Sequence, residues 1–62
     1  MDNKEFIEVL KAKVEVFTQE QKAVKQAFKE SRDMTLYSKY LRIDRAISAL
    51  ENAIREIEKI EQ

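Results

Sequence analysis

Apolar residues recur along the first half of the chain at alternating three- and four-residue steps. They are Ile7, Leu10, Val14, Phe17, Val24 and Phe28, with Gln21 as the one polar member of the row. The same spacing returns in the second half as Leu36, Tyr40, Ile43, Ile47, Leu50, Ile54 and Ile57. A period near 3.5 residues puts each row on one face of an α-helix, and its persistence marks helices packed side by side. No Gly or Pro interrupts either row. The pattern predicts helix one over about residues 3–30 and helix two over about 35–61. Asp2 with Glu5 three residues on makes a capping-box-like start for the first.

The rhythm changes phase in Ser31-Arg32-Asp33-Met34-Thr35, where Ser31, Asp33 and Thr35 each carry a short oxygen side chain able to accept from free backbone N–H groups. A turn is therefore expected over about 31–35. One uninterrupted helix is the alternative, but it would keep its heptad phase and would not cluster cap residues at its middle. Folding the chain near residue 33 makes antiparallel partners sum to about 67. Ile7 then faces Ile60, Leu10 faces Ile57, Val14 faces Ala53 and Ile54, Phe17 faces Leu50, and Val24 faces Ile43. Gln21 falls opposite Ala46 and Ile47, and Phe28 opposite Tyr40 or Lys39. The expected fold is all-α, an antiparallel two-helix hairpin with residues 1–62 as its one unit.

Each helix carries more apolar surface than one neighbour can cover. Beside the first seam runs a stripe of Phe6, Val9, Val16, Ala23 and Ala27, interrupted by Lys13 and Glu20. Seam and stripe together span about 160° of the wheel, against the ~100° that a helix shows to a single core. Ala46, Ala49 and Ala53 flank the second seam, and Ile60 extends that flank. These nine residues are the predicted contacts to a second copy or another partner. Two hairpins pairing into a homodimeric four-helix bundle would cover them. The inferred shape is similar to the Rop family of plasmid-copy-control regulators, antiparallel dimers of helical hairpins of about this length. That likeness is one of shape alone. It implies the dimeric architecture and carries no RNA-binding role onto any residue.

Composition narrows the means of stabilising so short a chain. The sequence has 62 residues, with no Cys and no His. Chains of this size lean on disulfides, metals or self-association, and without Cys and His self-association is what remains. The same absences remove thiolate or imidazole metal ligands, the commonest general base, and any Ser-His or Cys-His machinery. Glu51 lies four residues before Arg55, an ion-pairing interval, and Glu56, Glu58 and Glu61 read as a solvated acidic tail. A di-iron bundle site needs a Glu-x-x-His pair. The expectation is a non-enzymatic protein with no cofactor and no metal.

Charge is balanced overall, 12 basic against 12 acidic side chains, but not evenly spread. Residues 1–21 hold three basic and five acidic side chains, 22–45 hold seven and three, and 46–62 hold two and four. The turn end is thus +4 and each terminal third −2. An antiparallel dimer places basic turn ends beside acidic terminal ends and is electrostatically preferred, by salt-screened increments of about 0.2–1 kcal/mol per exposed pair. Within the basic third, Lys22, Lys25, Lys29 and Arg32 recur on one helical stripe, with Arg42, Arg45 and Tyr37 on helix two. This set defines the alternative reading, a nucleic-acid-binding dimer with phosphate contacts and a stacking tyrosine. The same stripe also serves as a solvated face that complements a partner subunit.

No apolar run approaches the ~20 residues that span a bilayer, and the basic residues do not flank one continuous apolar face as in a membrane-surface helix. The chain opens Met1-Asp2-Asn3-Lys4-Glu5, acidic where a secretory leader is basic. A cytoplasmic setting is expected. The leading expectation is a small helical regulator or accessory factor that pairs with itself and acts by binding another protein.

Overall fold

The computed structural model describes residues 2–61, the side chain of Glu61 excepted. Met1 and Gln62, and with them the two ends of the expected 1–62 unit, lie outside the described residues, as does the side chain of Glu61 in the expected acidic tail. The chain forms two α-helices, α1 over Asn3–Ser31 and α2 over Met34–Glu61, packed against each other as a hairpin. At 1.5 Å rise per residue a helix of this length reaches about 44 Å, and the Cα trace measures 46 × 14 × 14 Å. The molecule is therefore one helix long and two helices wide.

Each end of α1 is closed by chemistry that its residues supply. Asp2 sits in extended conformation, and its Oδ1 accepts from the Glu5 N–H at 2.8 Å while its carbonyl accepts from Phe6 N–H at 3.0 Å. The side-chain bond satisfies one of the free N–H groups of the first turn, and the carbonyl bond is the first of the helical ladder. At the other end Arg32 adopts the left-handed conformation, φ 59° and ψ 25°, and donates its N–H to the Phe28 carbonyl at 2.7 Å. Glycine is the usual residue there, since a Cβ disfavours positive φ. Ser31 Oγ donates to the Ala27 carbonyl at 3.0 Å and accepts from Asp33 N–H at 3.3 Å. Of the three cap residues, Asp33 starts α2, with its Oδ1 accepting from Thr35 N–H at 2.9 Å.

The left-handed Arg32 lets the chain reverse in two residues, Arg32 and Asp33, where a turn over 31–35 was expected. The fold centre therefore sits between 32 and 33, and the pairing shifts from the expected sum of 67. Gln21 Nε2 donates to Asp44 Oδ1 at 3.1 Å, and the Phe28 and Tyr37 rings pack at 5.7 Å with a 40° tilt. Both pairs sum to 65. Gln21 thus pairs with Asp44, and Phe28 finds Tyr37 for its ring partner. Ile60, expected against Ile7, is 77% exposed. Ile7 instead belongs to a core cluster with Leu10 and Ile54, against which Val14, Leu50 and Ile57 pack. Val24 and Ile43, the expected pair nearer the turn, are both buried.

The seam residues are covered and the flanks are not. Five apolar side chains are buried, Ile7, Leu10, Val24, Ile43 and Ile54, and none of the described side chains is fully enclosed. Two cylinders touch along a line, so each seam residue keeps an open edge. A third layer would be needed to enclose it.

Candidate functional site

The position of each flank follows from helix geometry. At 100° per residue, Phe6, Val9, Val16, Ala23 and Ala27 lie about 110° from the α1 seam, against the sense of rotation. Ala46, Ala49, Ala53 and Ile60 lie on the same rotational side of the α2 seam, about 65–125° away. A two-fold relation between antiparallel right-handed helices preserves that sense, so both flanks open on one side of the hairpin. The structure brings all nine predicted contact residues onto this apolar side. Phe6, Val9 and Val16 are 46%, 44% and 56% exposed, Ala23, Ala49 and Ala53 are exposed, and Ala27 and Ala46 are half-buried at its floor. Val9, Ala12, Lys13, Val16 and Phe17 line a shallow apolar groove along it. Large side chains come from α1, while α2 supplies mainly alanines.

The opposite side is polar. Gln21 and Asp44 meet there, and Lys11, Glu51 and Arg55 rim a cleft over Val14 and Ile54. Glu51 forms no ion pair with Arg55; the Arg55 guanidinium donates to the Asn52 side chain. Near the turn, Lys25, Lys29 and Arg32 surround Phe28, Tyr37 and Tyr40 in an open cleft. Three cations thus stand over an aromatic floor. Lys22 is exposed on the same side. The basic residues of α2 do not join them. Arg42 lines a groove with Met34, Thr35, Ser38 and Lys39 toward the apolar side, and Arg45 points outward from the back of α2.

Two features escape a reading of the sequence. The Gln21–Asp44 bond and the Phe28–Tyr37 pair depend on the fold centre, which a two-residue turn at 32–33 would have located. The other is an outward row on α2. Met34 and Leu41, 62% and 37% exposed, share the back of that helix with Arg45.

The hairpin exposes 4935 Å², whereas a compact protein of 7.4 kDa exposes about 4200 Å². The excess, about 700 Å², is close to the ~800 Å² that one partner contributes to a standard interface. Among the described residues no group of three acidic side chains is arranged to hold a metal ion, and no helix is long and apolar enough to cross a membrane. No family model, curated protein or solved structure matches the chain.

Proposed function

We propose that this chain is a small non-enzymatic interaction protein that works as a homodimer. Two hairpins close over their apolar sides into a four-helix bundle, and the bundle acts by binding another protein. The observation that carries this reading is the exposed apolar side itself, with Phe6, Val9, Val16 and Ile60 of two helices opening in one direction. The hairpin's total surface exceeds that of a compact protein of its mass by an amount close to one partner's share of a standard interface. Once that side is closed, Met34 and Leu41 remain as apolar residues on the outer surface, beside Arg45. Met and Arg are enriched in protein interfaces, so this outward row is the surface offered to the partner.

Sedimentation equilibrium of the purified chain tests the assembly. A single dimeric species that dissociates on dilution is expected, and a stable, fully helical monomer at all concentrations would overturn the reading. Capture of host proteins by the wild-type dimer, lost on Met34→Glu/Leu41→Glu without change in sedimentation, tests the outward row.

The cleft of Lys25, Lys29 and Arg32 over Phe28, Tyr37 and Tyr40 favours one second reading, a dimer that holds nucleic acid at its turn ends. Phosphate contacts release counterions, so such a complex weakens steeply as salt rises. A gel shift with mixed RNA and DNA at low and moderate salt decides it. Absence of any salt-sensitive complex removes this reading.

A further inference from the structure

The apolar side is complementary to itself in one orientation. We propose that the second copy is related by a two-fold axis that crosses the long axis of the hairpin at the level of Val16 and Ala49. This rests on the self-association proposed above and specifies its geometry. Along α1 the stripe reads Phe6, Val9, Lys13, Val16, Glu20, Ala23, Ala27. Reversed upon itself about Val16, it sets Phe6 against Ala27, Val9 against Ala23 and Lys13 against Glu20, with Val16 against its own copy. Phe6 and Val9 each meet an alanine, and each charge meets its opposite.

The flank of α2, reversed about Ala49, keeps the charge pairing and sets small residues together. Arg42 meets Glu56, Ala46 meets Ala53, and Ala49 meets its own copy. A single axis relates both helix pairs only if their two centres lie at one level. They do, because 16 and 49 sum to 65, the value of the Gln21–Asp44 and Phe28–Tyr37 pairs. This coincidence comes from the fold and is independent of either stripe.

Three of the four charged members, Lys13, Glu20 and Arg42, are free to pair with a partner, while Glu56 also pairs with Lys59. Among the described residues the one salt bridge is Lys59–Glu56 at 3.6 Å, between well-exposed side chains three apart on α2. Lys13, Glu20 and Arg42 make no ion pair within the hairpin. The parallel dimer, with turn ends together, sets Phe6 against Ile60 and Val16 against Ala49 but lacks the charge pairing. At the shared level it sets Lys13 against Ala53, Val9 against Glu56 and Ala23 against Arg42, so charges face apolar groups. It also brings together two turn ends of +4 each.

Two measurements on the full chain test the axis. For the first, Glu30→Cys, on the outward face of α1, carries a spin label for pulsed EPR. Glu30 stands about 21 Å along the axis from Val16 at the α-helical rise, so the antiparallel dimer separates the two labels by about 40–45 Å. A separation below about 30 Å in an intact dimer overturns the proposed axis and leaves self-association standing. For the second, Lys13→Glu and Glu20→Lys each weaken dimerisation about tenfold, and the double variant recovers it. Lys11→Glu changes net charge as much as Lys13→Glu does but lies on the polar side, and it leaves dimerisation within about twofold. Equal weakening by Lys11→Glu, or no recovery in the double variant, refutes the contact. A wild-type chain that sediments as a monomer refutes the self-association beneath it.

Discussion

Ile54→Ala set beside Val16→Ala separates the stability of the hairpin from that of its assembly. Ile54 is 7% exposed and packs in the cluster with Ile7 and Leu10. The substitution removes three carbons, a transfer loss of about 2.4 kcal/mol at ~0.8 per methylene. A rigid core would add a large cavity term, but two helices open on both edges can settle toward the gap. The expected loss is therefore about 2.5–3 kcal/mol, near the low end for such truncations. A domain of this size has only about 3–9 kcal/mol in total, so melting should fall by about 10–20 °C.

Val16 is 56% exposed in the hairpin, so its two lost carbons cost at most about 0.7 kcal/mol there. Higher helix propensity of Ala returns about 0.5 kcal/mol. In an isolated hairpin Val16→Ala is close to neutral. When a second copy covers Val16, each chain loses about 1 kcal/mol net, and the effect grows as dimer becomes the melting species. The assay is far-UV circular dichroism melting of wild type and both variants across a hundredfold range of protein concentration. A loss under about 1 kcal/mol for Ile54→Ala would refute the assigned core. A neutral Val16→Ala with concentration-independent melting would refute coverage of the apolar side.

Three further outcomes follow from the turn and the polar bond. Arg32→Gly should stabilise by about 0.5–1 kcal/mol in urea unfolding, because glycine relieves the left-handed strain and gives back only part of that gain as backbone entropy; a loss of stability would contradict the positive φ at this position. Asp33→Ala should destabilise by about 1 kcal/mol, with Asp33→Asn nearly neutral, since either Asp or Asn oxygen can accept from Thr35 N–H; equal losses in both would show that charge rather than capping is at work. Gln21→Leu removes the bond to Asp44 but adds apolar surface at a half-buried seam position, so melting should rise by a few degrees while the sedimenting species become mixed. A single unchanged species with unchanged melting would mean the bond sets neither register nor stability.

Much of the hairpin is legible residue by residue. The seams from Ile7 to Phe28 and from Leu36 to Ile57 are properties of single helices, and a helix with no Gly or Pro repeats its wheel reliably. The break is visible because Asp33 and Ser31 advertise a cap. What escapes is Arg32. Nothing marks an arginine for the left-handed region, so a turn without glycine looks longer than it is. That one residue moves the pairing, taking Ile60 out of the core and placing Tyr37 against Phe28. Arg42 and Arg45 part from the lysine stripe for a different reason, since they lie on the apolar side and the back of α2 while Lys22, Lys25 and Lys29 lie on the polar side.

The sequence by itself therefore determined the two helices, their caps, their seams and the presence of apolar stripes too wide for one partner. Each of these depends on neighbours within about four residues, where helical geometry is fixed by the backbone. Tertiary structure decided the two-residue reversal and the Gln21–Asp44 and Phe28–Tyr37 pairs. Those are relations between helices, and the change of two residues in the pairing slides one seam along the other by about 3 Å while both seams stay in the core.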